Sequence, residues 1–558
     1  MGGGPDHLRG VRAFYATGEE LELGEVPEGT QRVVARRATG QVWQVGLPSE
    51  DASRALPPGT YAIEALDENG KQLATELTTV GRHPGERPVH GFATSYLPSQ
   101  LPEVVEWLTA LRCTVVQFYD WMETYSAPLG PPCGWRDPSG REISFDGLRA
   151  LCAATRANGA VAHAYAPVYA VDPGYAGANP DLLMYRGDGA PERLFDNIVL
   201  ADPSNARWQD HFISTYGAAA DALGFSGFHV DSYGFPRAGT DVVGRQVDMR
   251  LAYEAFLEVL RARRPDDEIS FNQVNGVPSG LRLPGGSGFR YCEIWPPNDR
   301  WCHFEGLLER SRGGPGAFGP GGAGSADRSP LRGTVACYPP VWAPGDDSCR
   351  AAALRTVVLT EAIATCLGAA ALMYGDAFGV LCDPYYPKHE RLSLEERATV
   401  LAWHDFALRC RDLFLDGEDT SWYEIGDENG AVSVEWEGAV RPEPVGGALF
   451  ARVVRAGSYS AVGLVDLTGS PNGSWSEPTA AGSCRSARVR CLVSAPAEWR
   501  VAIATLGRAD GRFVPASATV VAHREGLALQ VEVPVDAGWS VLRITRNSGP
   551  SGTVTGGQ

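Results

Sequence analysis

The sequence predicts a multidomain fold in which a central (β/α)8 TIM barrel lies between two β-rich domains. Strand and helix patterns alternate through the middle of the chain, as in parallel sheets covered by helices. Both flanking segments instead show short strands separated by turn signals. We predict an N-terminal immunoglobulin-like β-sandwich with its linker over 1–88, the barrel over 89–419, a C-terminal antiparallel β-sandwich over 420–548 and a disordered tail over 549–558.

The N-terminal domain is predicted from short apolar strands such as 11–15, 41–45 and 59–65. Turn signals that contain Pro, Asn and Gly separate these strands. The stretch 81–88 is rich in Pro and Gly and predicts a linker to the barrel. In the C-terminal domain, segments such as 447–454 show the same strand pattern.

The barrel is predicted from its run of strands and helices. The candidate strands are 90–96, 114–121, 160–169, 227–233, 268–274, 289–295, 334–342 and 370–376. Helical periodicity is found between most of them, at 102–111, 144–157, 204–223, 246–263, 303–311 and 350–367, and a last helix is predicted at 393–415. The weakest segment is 276–288, because its Pro and Gly residues leave little room for a helix.

Composition excludes several classes of protein. The chain has 558 residues, of which 44% are hydrophobic, and a formal charge of −18. This charge argues against nucleic acids and anionic membranes as partners, but it does not oppose a neutral polysaccharide. We expect no transmembrane helix and no signal peptide, hence a cytoplasmic protein, or a secreted one if a leader has been trimmed from it. The oligomeric state is left open.

No cofactor or metal site is predicted. The twelve cysteines lie mostly alone in apolar runs, so we expect buried thiols, although Cys484 and Cys491 could pair within one hairpin. The sequence contains no Cys-x-x-Cys, which argues against structural zinc. The stretch Gly314–Gly319 matches a dinucleotide-binding pattern in spacing only, and we interpret it as a flexible connector.

Acidic, amide and aromatic residues collect at the predicted strand ends, where the active site of such a barrel lies. Lys and Arg are almost absent from these ends, which indicates a site for an uncharged polyhydroxyl ligand rather than a phosphate. The predicted site residues are Tyr96, Tyr119, Asp120, Trp121, Tyr165, His229, Asp231, Tyr233, Asn272, Gln273, Asn275, Glu293, Trp295, Tyr338 and Asp376.

Two of these residues, Asp231 and Glu293, are carboxylates at the ends of the fourth and sixth strands. Asp is disfavoured within strands, so an Asp at a strand tip indicates that its side chain is needed there, either to shape the turn or to take part in a reaction. Cleavage of a glycosidic bond needs a carboxylic acid for the leaving oxygen and a second carboxylate for attack or for activation of water. Strands four and six are second neighbours, so their tips can hold a sugar bond between them.

Structural roles remain as alternatives for several residues. Asp120 and Asp376 could simply cap the helices that follow them. His163, which precedes Tyr165 on the third strand, could be a buried core histidine. The tryptophans could pack in the core instead of stacking on sugars, and these are Trp121, Trp295 and Trp342.

The motifs around these residues resemble glycoside hydrolase family 66, the dextranases and cyclodextran-forming glucanotransferases. The resemblance also covers the domain order of β-sandwich, barrel and β-sandwich. It rests on Tyr119-Asp120-Trp121-Met122 with Pro128-Leu129, on Gly227–Asp231, on Tyr291–Pro296, and on Tyr385-Tyr386-Pro387 with Asp405-Phe406.

The resemblance implies a retaining double displacement on α-1,6-glucan, with Asp231 as nucleophile, Glu293 as general acid/base and Asp120 in sugar binding. The segment Ser232–Pro236 departs from the family pattern, which bears on the substrate. No connection in the barrel is long enough for the carbohydrate-binding module of cyclodextran-forming members, which favours hydrolysis. A transglycosylase, a hydrolase of another α-linked glycan and a non-catalytic carbohydrate-binding barrel are the alternatives.

Overall fold

The computed structural model describes most of the chain. The described residues are 8, 10–47, 55–234, 236–283, 288–312, 333–339, 347–383, 389–421, 425, 431–507 and 511–546. Some sequence features lie outside them, namely Phe235, Gly314–Gly319, Trp342, Tyr385–Pro387 and the tail over 549–558.

The N-terminal part forms one five-stranded sheet. Its strands, in spatial order, are Phe14–Ala16, Gln72–Gly81, Gly59–Leu66, Arg32–Arg36 and Val42–Gln44. One face holds a small apolar core that includes Tyr15, Val33, Tyr61 and Ile63. The sequence predicts a two-sheet sandwich here, but the described residues form a single sheet, because loops and the helix Leu394–Leu415 cover its faces in place of a second sheet.

The middle of the chain contains a curled central sheet of parallel strands. These are β1 (His90–Ala93), β2 (Val115–Phe118), β3 (Val161–Pro167), β4 (Gly227–Asp231), β5 (Glu268–Asn272), β6 (Gly288–Glu293), β7 (Thr334–Ala336), β8 (Ala370–Leu372) and β9 (Tyr374–Gly375). Neighbours from β1 to β8 pair in chain order, and β9 pairs with β1. Since one residue separates β8 from β9, both edges of the sheet meet on one short stretch of chain.

Helices follow most of the strands, near their predicted positions. They are α1 (Leu101–Ala110), α2 (Phe145–Ala157), α3 (Pro173–Ala178), α4 (Ala206–Leu223), α5 (Met249–Arg263), α6 (His303–Arg312), α7 (Asp347–Cys366) and α8 (Leu394–Leu415). Capping side chains mark where several of these helices begin. Ser144 caps α2, Asn205 caps α4, and Ser393 forms a capping box with Glu396 on α8. As expected from the Pro and Gly of 276–288, the described part of this segment contains no helix.

Short strands extend the loops of the central part. Ala170–Val171, Ile198–Leu200 and Arg193–Leu194 form a three-stranded sheet between β3 and α4. Gly379–Leu381 and His389–Arg391 continue the central sheet beyond β9. The loops also contain two antiparallel hairpins. One pairs Trp135–Arg136 with Glu142–Ile143, and the other pairs Ala238–Thr240 with Gln246–Asp248.

The C-terminal part contains two sheets with a common apolar core, which includes Val453, Val489 and Leu542. The larger sheet has Glu418–Asp419, Leu449–Ala456, Tyr459–Asp466, Trp539–Arg546, Trp499–Thr505 and Val514–Pro515, with Val440–Arg441 beside the second strand. The smaller sheet has Val432–Glu435, Ser486–Val493, Gly526–Pro534 and Thr519–His523.

Three further findings bear on the sequence predictions. All twelve cysteines are thiols, so the pairing considered for Cys484 and Cys491 is absent. In the described part of the chain, no helix is both long enough and apolar enough to span a membrane. Within the same residues, no group of three or more His, Cys, Asp or Glu side chains is arranged to hold a metal ion.

A buried carboxylate, Asp412 of α8, joins the N-terminal sheet and the linker to the central part. It accepts hydrogen bonds from the backbone N–H of Thr60 at 2.7 Å and from its hydroxyl at 2.9 Å. Arg87 of the linker donates at 2.9 Å and Arg37 of the N-terminal sheet at 3.0 Å. Burial raises the pKa of Asp412, but these guanidinium groups outweigh it and hold the pKa below its usual range.

We predict that Asp412→Ala destabilises the protein by about 3–5 kcal/mol, because it leaves the largely buried guanidinium groups of Arg37 and Arg87 without their carboxylate. The free energy of unfolding of the full chain in urea measures this change. Glu532→Ala is the matched control, since Glu532 pairs with Arg488 on the surface and is 56% exposed. The control should cost less than about 1 kcal/mol. Equal effects of the two substitutions would contradict the role given to Asp412.

Candidate active site

Strand register brings three polar side chains together at the carboxyl ends of adjacent strands. Asp231 ends β4 and lies opposite Pro167 of β3. Asn272 ends β5 and lies opposite Tyr291 of β6, two residues before Glu293. Because β5 lies between β4 and β6, the amide of Asn272 lies between the two carboxyl groups.

These strand ends form the floor of a cavity of about 640 Å³. Both carboxylates line it, and the described residues that line it include neither Lys nor Arg. The structure places here most of the residues predicted from the sequence, namely Tyr119, Asp120, Tyr165, His229, Asp231, Tyr233, Asn272, Asn275, Glu293, Trp295 and Tyr338. A lining of carboxyl, amide and aromatic groups without a described cationic side chain fits a neutral sugar better than an anion.

Four predicted site residues do not line the cavity. Tyr96 is buried, and its hydroxyl donates to the carbonyl of Ala93 at 2.7 Å. Trp121 is also buried, and its indole donates to the carbonyl of Tyr165 at 3.1 Å. The Trp121 side chain points away from the cavity because Asp120 has a left-handed backbone with φ of 45°, which breaks the alternation of side chains along the strand. The packing alternative therefore holds for Trp121.

Gln273 and Asp376 have structural roles as well. Gln273 points to the opposite face of β5 from Asn272, and its amide donates to the carbonyl of Pro278 at 2.7 Å. Asp376 accepts hydrogen bonds from the backbone N–H groups of Thr94 at 2.7 Å and Ser95 at 2.6 Å. It thus fixes the turn after β1, rather than contacting a ligand in the cavity.

His163 is a core histidine, as in the structural alternative. Its ring is fully buried, and Nδ1 lies 3.1 Å from the hydroxyl of Ser270. Burial lowers the pKa of His163 to about 3, with a further contribution from His90. His229 shares the same hydroxyl at 2.9 Å, but it also reaches the cavity.

Asp231 accepts hydrogen bonds from three side chains. Tyr165 donates to Oδ2 at 2.7 Å and Tyr169 to the same oxygen at 3.1 Å. Asn272 donates to Oδ1 at 2.7 Å. Burial raises the pKa of Asp231 above its ordinary value, and the three hydrogen bonds limit this rise, because they favour the ionised form.

Asn272 also binds Glu293. Its amide nitrogen donates to Oε2 of Glu293 at 2.9 Å, while its oxygen accepts from the backbone N–H of Glu293 at 3.2 Å. Both ends of the amide are therefore held by hydrogen bonds, and its NH2 group donates to both carboxyl groups. Burial and then the charge of Asp231 raise the pKa of Glu293 to about 7, against hydrogen bonds that include that of Asn272.

Asp120 supplies a third carboxyl group to the cavity. It is 7% exposed, and its left-handed backbone turns the side chain into the cavity. Burial raises its pKa to about 7; Arg141 lowers it, whereas Asp137 and Asp231 add to the rise. This carboxyl lines the cavity as the sequence predicts, and it is close enough to Asp231 for the charge of Asp231 to raise its pKa.

Several lining residues were missed from the sequence. Tyr169 and Tyr291 have the same strand parity as Tyr165 and Glu293, so alternation alone could have identified them. The lining residues that lie in loops show no such pattern, because the local sequence does not predict where a loop packs in the folded protein. The missed residues are Gln117, Tyr125, Pro138, Ser139, Pro167, Tyr169, Leu194, Phe195, Asn197, Ile198, Ser232, Val274, Tyr291 and Pro296.

Comparisons with solved structures show the fold. A crystal structure of a Paenibacillus sp. cycloisomaltooligosaccharide glucanotransferase, complexed with cycloisomaltoheptaose, covers 96% of this chain and 99% of its own, with a TM-score of 0.75 and 15% identity. A maltogenic α-amylase from Thermotoga neapolitana covers 82% of this chain and 99% of its own, with a TM-score of 0.50 and 9% identity. These similarities confirm a multidomain, sheet-rich fold with a curled central sheet.

Comparisons of sequence show the family. A curated cycloisomaltooligosaccharide glucanotransferase from Niallia circulans is 28% identical over 224 residues, which is 36% of this chain. The match spans 23% of that relative's length. The family model described as glycosyl hydrolase family 66 matches residues 19–541, and this is most of the chain. The chain therefore belongs to glycosyl hydrolase family 66 and is a glycoside hydrolase-type enzyme.

Proposed function

We propose that this enzyme hydrolyses α-1,6-linked glucan, either dextran or isomalto-oligosaccharides, by a retaining double displacement. One observation carries the proposal: Asp231 and Glu293 share the amide of Asn272 on the floor of a cavity that is rich in aromatic side chains. Asp231 is the nucleophile, and Glu293 is the general acid and base.

We also infer that the central sheet closes into a (β/α)8 barrel. The pairing of β8 with β7 and of β9 with β1 supports closure, because Met373 is the one residue between the two strands. In such a barrel the active site lies at the carboxyl ends of the strands, where Asp231 and Glu293 are.

The spacing of the carboxyl groups supports retention. Asn272 Nδ2 lies 2.7 Å from Asp231 Oδ1 and 2.9 Å from Glu293 Oε2. The two oxygens are therefore no farther apart than the sum of these distances. That limit is close to the roughly 5–5.5 Å of retaining enzymes and below the roughly 6.5–9.5 Å that leaves room for a water in inverting enzymes.

The protonation of the pair suits the two steps. Asp231 is the ionised member, because three donors surround it, and Glu293 holds the proton. In the first step an oxygen of Asp231 bonds to the anomeric carbon, and the glycosidic oxygen leaves with the proton of Glu293. The ester that forms removes the charge of Asp231, so the pKa of Glu293 falls. Glu293 then takes a proton from the water that releases the sugar.

The substrate proposal rests on the relatives and on the lining of the cavity. Two matched proteins are named cycloisomaltooligosaccharide glucanotransferases, and one of them is complexed with cycloisomaltoheptaose. The part of the lining that the structure describes is rich in aromatic side chains and contains neither Lys nor Arg, which suits the same class of neutral glucan. The names of these relatives also support a second candidate, transglycosylation of α-1,6-glucan.

A substrate panel tests this proposal. We expect reducing ends to appear from dextran and isomalto-oligosaccharides but not from the α-1,4-glucan amylose or from an α-1,3-glucan. Chromatography of the products separates linear hydrolysis products from cyclic or elongated transfer products. Preference for amylose or for the α-1,3-glucan would contradict the proposed substrate, and predominantly cyclic products would favour transglycosylation.

The bridging amide gives a further prediction. We expect Asn272→Ala to lower kcat/KM on dextran about 100-fold, because the two carboxyl groups lose their common anchor. In the wild-type enzyme, activity should fall as the pH rises past about 7, since Glu293 must hold a proton. Loss of the hydrogen bond from Asn272 raises the pKa of Glu293, so this fall should move to higher pH in the variant.

Asn205→Ala is the matched control for Asn272→Ala. Asn205 caps α4, outside the cavity, so its loss should cost about 1 kcal/mol of stability and leave the pH profile unchanged. An Asn272→Ala variant with near-wild-type kcat/KM and an unshifted pH profile would show that the amide does not position the pair.

A further inference from the structure

Phe195 combines two unfavourable features at the edge of the active-site cavity. Its backbone is in the left-handed region, with φ of 61°, which is a strained conformation for a bulky side chain. Its side chain is 53% exposed, although burial of an aromatic ring is favourable. Backbone strain of this kind persists where the surrounding structure imposes it, and it clusters at functional sites.

The choice of residue at this turn is informative. Phe195 is the first of three residues that join Arg193–Leu194 to Ile198–Leu200. The next two, Asp196 and Asn197, belong to the residue types that tolerate the left-handed region best. The strain nevertheless falls on Phe195, whose side chain lines the cavity.

The hairpin holds Phe195 in place. Leu194 pairs with Ile198, and both pack against the main apolar core. Arg193 donates to the carbonyl of Asp196 at 3.1 Å and closes the turn. The ring is therefore presented by a fixed support, so its position needs little ordering when a ligand binds.

Phe195 lies shallower in the cavity than Asp231. Asp231 is 7% exposed, whereas Phe195 is more than half exposed. A sugar at Asp231 is enclosed, but a sugar at Phe195 is at the rim. The rim residue therefore contacts units of a longer chain rather than the unit whose bond is cut.

We propose that Phe195 is a stacking platform for a glucosyl unit of a polymeric substrate, away from the bond that is cleaved. The apolar C–H face of a sugar ring covers the exposed phenyl ring, which removes apolar surface from water. This inference rests on the proposed function, since it assigns an additional subsite to the same cavity. It makes Phe195 a determinant of preference for long chains.

The test compares a long and a short substrate. Phe195→Ala should lower kcat/KM on dextran roughly 5- to 20-fold, as expected for loss of one stacked ring. On isomaltosyl α-fluoride, which has two glucosyl units, kcat/KM should change less than about twofold, because a short substrate does not span the rim. Phe195→Trp should keep the activity on dextran.

Two more variants separate stacking from folding. Phe195→Gly should lose the same activity on dextran, but it should raise the midpoint of thermal unfolding above that of Phe195→Ala, because glycine adopts the left-handed region without strain. Leu394→Ala removes an apolar side chain that is 79% exposed at the start of α8, and it should leave both substrates unaffected.

An equal effect of Phe195→Ala on both substrates, or no effect on either, would overturn the proposal. A wild-type enzyme that prefers a different α-glucan would contradict the proposed function alone. The comparison of Phe195 variants would then be made on that polymer and its disaccharide fluoride, with the same expected difference.

Discussion

The site depends on the shared hydrogen bonding of Asn272 with two carboxyl groups, of which Asp231 is buried and Glu293 is partly buried. Two carboxylates removed from water in one cavity repel each other, and each is costly to bury alone. The amide donates to both, while its oxygen is held by the backbone of Glu293. The tyrosines that donate to Asp231 favour its ionised form. The burial and the repulsion that would destabilise the pair thus place the proton on Glu293.

The fold supplies this arrangement through strand order. Asn272 can bind both partners because β5 lies between β4 and β6, with all three strands parallel and in register. Left-handed residues then adjust the edge of the cavity: Asp120, Phe195 and Asn275 are three of the described non-glycine residues with positive φ, and all line it. Far from the cavity, Asp412 connects α8 with the N-terminal sheet through buried ion pairs.

Sequence patterns predicted the catalytic candidates because strand tips obey simple rules. Asp231, Asn272 and Glu293 end buried strands, and the ends of parallel strands meet at one edge. The prediction was wrong for Trp121, because the left-handed Asp120 reverses the direction of its side chain, and for Gln273, because strand alternation turns its side chain to the face opposite that of Asn272. Phe195 had no signal in the sequence, because tertiary contacts place its hairpin at the cavity. The single N-terminal sheet was also beyond prediction, since a helix distant in sequence packs against it.

Azide rescue with isomaltosyl α-fluoride tests the roles of Asp231 and Glu293 most directly. Fluoride leaves without a strong acid, so Glu293→Ala should still form the ester on Asp231, and azide should release α-isomaltosyl azide. In Asp231→Ala, azide should attack the fluoride itself and give the β-azide. These opposite configurations, read by nuclear magnetic resonance, are the predicted result. A β-azide from Glu293→Ala, or an α-azide from Asp231→Ala, would contradict the double displacement and the assignment of its two carboxyl groups.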